Sequence, residues 1–496
     1  MNDIEQQLYL TELGEDQTII DGTLEWFRVF ASVPHGSWNE KQLADLLTAR
    51  FTELGWAVER DQWNNMKVDA PGTPGLENLP PVIIQGHLDM VCAVVEGSGY
   101  VPERDPLNVV IEDGILRSDR RSSLGADCGL GLSLAFYVVN SALQRGPIRF
   151  ILTVAEESGL EGAKLVAPEW LAGCKWMINV DAGSSNVGFV SCAGSRRERF
   201  IRKPETVCCE MPHAYTVKLS GLVGGHSGGA IHLGRGNAIK LLGHFLWQLR
   251  DKLDFELTDF RGGNAGNAIP TEAQAVVVVS DPNLLVAEAA AFQSRLSKFY
   301  KNLDPNVTLE LHEIPTPNQV WSTAMRDDTL NLISIIHNGV FAMHDTIPGQ
   351  VLASANLGVC TTEENGIFRV FVSARCHEEF CAELIDTRCA AAARAANFTH
   401  EMAVAYPGYN GDSNSPLAQL FDKVHQEQLG TPMQFKSVHA GLELGILSAK
   451  NPDLIVVAIG PDRKNAHSVF EQAPLDKFSV FARLLAGVLE ELAKPE

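Results

Sequence analysis

Positive charge is what this sequence has least of: 40 Lys and Arg stand against 61 Asp and Glu, a formal net charge of −21 over 496 residues. Such a surface repels phosphate backbones, so no nucleic-acid partner is expected. Long apolar runs are missing too, none approaching the roughly 18 residues that span a bilayer. The opening Met1-Asn2-Asp3-Ile4-Glu5 has neither the basic nor the apolar region of a signal peptide. A cytoplasmic protein without a membrane partner is the expectation. The ten cysteines form no CxxC pair and no disulfide-rich module, and are read as reduced thiols. The familiar phosphate and nucleophile motifs are also absent. The glycine-rich stretch Ser123 to Gly131 lacks both G-x-G-x-x-G spacing and a P-loop Lys-Ser/Thr. Ser227 sits in Gly-Gly-His-Ser-Gly-Gly without a G-x-S-x-G elbow, and a histidine immediately before it is poorly placed to act as its base.

What is present is ordinary globular material, 45% hydrophobic and 20% charged, in a chain longer than one hydrophobic core usually fills. Three stretches are legible. Over 1–205, apolar runs at Pro81 to Gly86, Ile148 to Ala155 and Lys175 to Val180 read as strands buried on both faces of a largely parallel sheet. Ser123 to Leu143 reads as a crossover helix between the first two. Over 206–405 the order becomes strand, helix, strand, strand, helix, strand, a split βαβ lobe, and a second, incomplete copy comes after it with a helix over 329–343. Over 406–496 the first style returns, with a helix at Pro416 to Gln428, a buried strand at Leu454 to Ile459 and a long last helix. The fold class expected is α/β: a parallel-sheet catalytic domain with helices on both faces, carrying an inserted two-lobed α+β lid domain.

Chemistry gathers where those strands end. Pro81 to Gly86 runs into His87-Leu88-Asp89, Ile148 to Ala155 into Glu156-Glu157, Lys175 to Val180 into Asp181, and Leu454 to Ile459 leads towards His467. Asp127 opens the crossover helix. Carboxyl ends of strands in an open α/β sheet share one edge, where ligands bind, so residues hundreds of positions apart can meet there. Each fragment alone is commonplace, a surface pair or a solvated turn; their joint placement carries the argument. Two histidines with several carboxylates are the donors preferred by zinc or a similar divalent ion.

These residues carry a resemblance. His87-Leu88-Asp89, Leu124-Gly125-Ala126-Asp127, Glu156 to Ala163, Asp181-Ala182-Gly183, Gly224 to Gly228, Gly266 to Pro270 and His439-Ala440-Gly441-Leu442-Glu443 resemble, in order and over nearly the whole chain, the aminoacyl-histidine dipeptidases. These belong to the di-zinc peptidases that include aminoacylases and glutamate carboxypeptidases. The resemblance implies two Zn²⁺ per chain, with Mn²⁺ or Co²⁺ as substitutes: His87 and Asp181 on one, Glu157 and His467 on the other, and Asp127 bridging. Two such ions, three carboxylates and one hydroxide sum to zero charge, which makes burial tolerable. It further implies that Asp89 orients His87, that Glu156 is the general base acting on a metal-activated water, and that His226 stabilises the oxyanion. Asn267, Arg375 and Gly441 become candidates for holding the substrate's free carboxylate, Arg375 because its planar fork matches a carboxylate.

The implied activity is hydrolysis of unblocked dipeptides, preferentially Xaa-His and including β-alanyl-histidine. An N-acyl amino acid deacylase or a tripeptidase on the same scaffold is the alternative, and a metal-binding protein without catalysis a third. A homodimer built through the inserted domain is left open. The chain departs from the family pattern at Val469-Phe470, where Pro-Asp is usual before Glu471, at Cys128 in place of asparagine, and at Leu444 in place of cysteine. None of these positions is a proposed ligand.

Overall fold

The structure is a computed structural model that describes residues 13–141, 144–345 and 347–494. The opening pentapeptide and the last two positions of the crossover helix expected over 123–143 therefore lie outside the described residues. Two compact units emerge, one from residues up to Cys192 and from Tyr409 onward, the other from Ala193–Gly408.

The first unit is built on a nine-stranded sheet. Its centre runs Ile148–Thr153, Val82–His87, Trp176–Asn179, Ile455–Ala458, and all three pairings in that series are parallel. Antiparallel strands flank it, Met66–Ala70 and Ala57–Arg60 beyond Ile148–Thr153 and Val187–Cys192 beyond Ile455–Ala458, and Val187–Cys192 also pairs with Tyr409–Asn410 antiparallel and with Gln434–Val438 in parallel. All six residues of Val82–His87 are buried, as the unbroken Val-Ile-Ile run requires of a strand covered by helices on both faces. The helix Ala126–Asn140 packs against that strand and against helices Asp16–Ala31 and Phe478–Leu492. Its sequence is apolar all round, and nearly every residue is buried. A cluster of stacked and edge-on rings, Trp26, Phe51, Trp56, Phe136 and Phe150, fills the space beside it.

The second unit holds an antiparallel sheet in the order 308–314, 213–220, 273–279, 255–262, 351–362, 368–376, 194–202, 399–406, with Gly339–Met343 added beside 351–362. Each half has the strand order of a split βαβ lobe. The helices carry conventional starts: the Asn237 side chain accepts from Lys240 N–H, and Asp281 accepts from Leu284 N–H just before Pro282. Two expectations are corrected here. The second lobe is complete, because its first strand, Gly194–Arg202, lies upstream of the whole first lobe and pairs with Phe368–Cys376 and Thr399–Tyr406. With that strand included, the second unit spans Ala193–Gly408. The helix expected over 329–343 is Thr323–Ile335; beyond His337 and Asn338, Gly339–Met343 is a strand on the edge of 351–362. An apolar Val-Phe-Ala-Met run reads equally well at either period, and the tertiary pairing decides it.

Close approach of helix and sheet depends on Gly131, where an added Cβ would lie 2.2 Å from the Val180 carbonyl oxygen. Gly131→Ala is expected to cost about 1–3 kcal/mol in the first unit by overpacking. Thermal unfolding measures this, with Gly229→Ala, whose Cβ meets nothing within 4 Å, as the unaffected control.

Candidate metal centre

Four neighbouring parallel strands present their carboxyl ends together, and the expected ligands collect there in the first unit. His87 ends its strand; Glu156 and Glu157 come after Ile148–Thr153, and Asp181 after Trp176–Asn179. His467 arrives on the loop after Ile455–Ala458, with a left-handed backbone at φ 61°. Asp127 lies one residue inside the helix start, where its own φ/ψ of −86° and 107° is not helical.

Asp127 divides its carboxylate between two histidines. Its Oδ1 lies 3.4 Å from His87 Nε2, which is 3.5 Å from Asp181 Oδ1. Its Oδ2 lies 3.2 Å from His467 Nε2, which is 2.8 Å from Glu157 Oε1. Ligand atoms of Asp127, Glu157 and His467 fall within 4.8 Å of one another, as do those of His87 with Glu156 and Glu157, and of His87 with Cys128 and Asp181. His87 Nε2 is buried and makes no hydrogen bond among the described residues. Its Nδ1 donates to the Asp89 carbonyl oxygen at 2.9 Å, which aims Nε2 at two carboxylates. An uncompensated nitrogen among buried acceptors is what a divalent cation would satisfy, so the donor set fits the ion.

The electrostatics carry the same imprint. Burial disfavours charge on His87, yet Asp181, Asp127 and Asp89 overcome it and hold the imidazole well above its usual range. Burial opposes the Asp127 charge as well, and Arg463, His467 and His87 keep that carboxyl well below the ordinary value. Asp181 is pushed up to about 6 by burial and by Asp127. Burial, together with Asp181, Glu443 and Glu157, drives Glu156 well above the usual carboxylate range against the pull of His87. His467, half exposed, is raised to about 10 by its contacts with Asp127 and Glu157. Crowded charges in a buried setting thus push His87, Asp127, Asp181, Glu156 and His467 in different directions.

Asp89 meets His87 and also the turn that carries the two glutamates. The hydrogen bond from His87 goes to the Asp89 backbone carbonyl, while the carboxylate, 3.5 Å from Nδ1, accepts from Ser37 Oγ at 2.7 Å, Glu156 N–H at 2.9 Å and Glu157 N–H at 3.1 Å. Asp89 thus fixes the turn that carries both glutamates. Three residues that the sequence reading did not assign complete the frame. Glu471 accepts from the backbone N–H groups of Leu124, Gly125 and Asp127 at 2.8, 2.9 and 3.1 Å, tying the His467 loop to the Asp127 turn. Glu443 accepts from Gln85 Nε2 at 2.5 Å and Thr153 Oγ1 at 2.7 Å, and burial raises it to about 7. The Arg463 guanidinium contacts both Asp127 and Asp181. Glu471 had a signal, as the glutamate kept after His467-Ser468; Arg463 had none. Gly441 lies in the turn between Gln434–Val438 and Glu443–Lys450 of the same unit.

His226, Asn267 and Arg375 belong to the second unit. His226 pairs with Ala268 in a two-stranded ribbon, and Ser227 N–H donates to the Asn267 carbonyl at 2.8 Å, so the first two residues are neighbours. Asn356 Nδ2 pins the same turn through the Gly266 and Ala268 carbonyls. Burial lowers His226, and the Arg375 charge lowers it further. Arg375 Nε is buried with no hydrogen-bond partner among the described residues.

Known proteins resemble this chain along nearly its full length. Residues 217–304 match the peptidase dimerisation domain. The cytosol non-specific dipeptidase of Escherichia coli K12 is 32% identical over 483 residues, covering 94% of this chain and 96% of that protein. The crystal structure of aminoacylhistidine dipeptidase from Vibrio alginolyticus superposes with a TM-score of 0.89 at 31% identity, over 95% of this chain and 96% of the other. The aminopeptidase PepT from Bacillus cereus shares the fold at TM-score 0.55 and 17% identity, over 96% of this chain and 99% of that one. Likeness along nearly the full length of both dipeptidases, joined to the ligand cluster at the sheet edge, shows that the chain belongs to the metallopeptidase family of the aminoacyl-histidine and cytosol non-specific dipeptidases.

Proposed function

We propose that this protein hydrolyses unblocked dipeptides, Xaa-His first among them and β-alanyl-histidine included, at a centre of two divalent ions. The observation that carries the reading is Asp127, which turns one carboxylate oxygen toward His87 and the other toward His467. His87 and Asp181 would hold one ion and Glu157 and His467 the other, with Asp127 shared. Zinc is the proposed occupant, with manganese and cobalt drawing on the same donor types. When bound, the ions supply positive charge that acidifies a water and polarises the peptide carbonyl.

Glu156 is the base in this reading. Its carboxylate lies beside His87 and Glu157, where it would take a proton from water and return it to the departing amine. Asp89 acts through the backbone, holding Glu156 and Glu157 at fixed spacing. His226 donates to the developing oxyanion. Arg375, whose buried Nε lacks a partner, receives the substrate's C-terminal carboxylate, with Asn267 and Gly441 adding polar contacts. The match to a dimerisation domain supports a homodimer, and the cysteines, free among the described residues, support a cytoplasmic setting. No helix among the described residues is long and apolar enough to cross a membrane.

Incubation of the zinc- or manganese-supplied protein with β-alanyl-histidine, leucyl-histidine, a tripeptide and an N-acetyl amino acid, with mass spectrometry of the products, tests the activity. Cleavage of the free dipeptides alone is expected; cleavage only of the acetylated compound moves the function to deacylation, and no cleavage points to a non-catalytic protein. Glu156→Gln should lower kcat by ~10²-fold or more with metal content unchanged, as loss of a general base does. Arg375→Met should raise KM for free dipeptides by about one to two orders of magnitude and leave C-terminally amidated dipeptides unaffected.

A further inference from the structure

Arg463 lies four residues before His467 on the loop that brings that histidine to the centre. Its side chain is only 9% exposed. One nitrogen, Nη2, lies 2.8 Å from Asp127 Oδ1, 3.2 Å from Asp181 Oδ1 and 2.7 Å from the Asp181 carbonyl oxygen. Nη1 donates to the Ala182 carbonyl at 3.3 Å. These are the same two carboxylate oxygens that face His87 Nε2 at 3.4 and 3.5 Å. The other half of the centre, Asp127 Oδ2 with Glu157 and His467, shows no contact with Arg463 in the structure.

Charge gives this contact a consequence. Asp127, Glu157 and Asp181 contribute −3, and a guanidinium, which stays protonated in proteins, brings that to −2. One divalent ion then balances the three carboxylates, and a second, with the hydroxide counted above, leaves the cluster at +1. The second ion must also share ligand oxygens with a resident cation. The two positions are therefore unequal, and the His87 half is the one that Arg463 opposes.

We propose that Arg463 is a resident counter-cation of the His87–Asp127–Asp181 half, which holds those carboxylates together without metal and makes that half the weaker, later-filled metal position. The inference rests on the two-ion reading above. It predicts sequential loading: the Glu157–His467 half binds first, and occupancy of the His87 half depends on the metal supply.

The test uses metal-stripped full-length protein titrated with zinc in competition with a chromophoric chelator, with bound metal per chain counted by plasma mass spectrometry. Wild type should bind two ions in steps separated roughly tenfold or more, and Arg463→Gln should tighten the second step by a similar factor while the first shifts by less than about threefold. Arg463→Lys, which keeps the charge, should retain the separation. In melting experiments Arg463→Gln should be destabilised without zinc, and the deficit should shrink at saturation because the ions then neutralise the carboxylates. Two equally tight steps in wild type overturn the proposal without any variant, so a poorly folding Arg463→Gln leaves it decidable. An unchanged or weakened second step in Arg463→Gln also overturns it. Absence of zinc binding in all three proteins overturns the metal-centre reading itself, and this inference with it.

Discussion

Three carboxylates and two imidazoles crowded at one sheet edge cannot stay together in a buried setting unless positive charge is supplied. That constraint organises the first unit. Asp127, Asp181 and Glu157 are all within 3.5 Å of a histidine nitrogen, and the buried Nε2 of His87 faces the Asp127 and Asp181 carboxylates without a hydrogen bond among the described residues. Burial raises the cost of each charge, and the opposing shifts of Asp127 and Asp181, one far down and the other up to about 6, show the strain of neighbouring like charges. A divalent cation at this candidate site would relieve it.

The frame that enforces the crowding is made largely of backbone contacts. Asp89 spends its carboxylate on the N–H groups of Glu156 and Glu157, and Glu471 on those of Leu124, Gly125 and Asp127. Each buried acid fixes a turn, and the turn fixes a ligand. Glu471 also leads into the short strand Gln472–Pro474, which pairs with Ile115–Ser118 upstream of Asp127. The His467 loop and the Asp127 turn are therefore held twice, through a side chain and through a sheet. The departures at Val469 and Phe470 lie between these anchors, in a stretch with Phe470 exposed, which is why the family pattern can change there while His467 and Glu471 keep their contacts.

Much of this was legible because strands of a parallel sheet are continuous apolar runs, and the first polar residues after each run stand at the sheet edge. His87, Glu156, Glu157 and Asp181 could be found that way, and the structure brings them together. The strand order could not be read, since pairing of Trp176–Asn179 with both Val82–His87 and Ile455–Ala458 is a long-range fact. The split lobes of the second unit were legible from their rhythm, but not that Gly194–Arg202 opens the second lobe before the first begins. That arrangement is written in register, not in local composition. Gly339–Met343 failed for a different reason: five residues of apolar character fit a helix tail or an edge strand until a partner strand is known.

Arg463 marks where a sequence-level charge count breaks down. Two ions, three carboxylates and a hydroxide sum to zero only if no other full charge enters the cluster, and nothing in Asp462-Arg463-Lys464 marks the central residue out from its neighbours. Position in the fold does. Arg463 is enclosed, bonded to the Asp181 and Ala182 carbonyls, and pointed at the carboxylates by the loop that delivers His467. A ligand and a competing cation on one short loop cannot be repositioned independently. Any shift that moves His467 toward Glu157 also changes how tightly the guanidinium grips Asp127, so the two halves of the centre are coupled through a four-residue stretch of backbone as well as through the carboxylate they share.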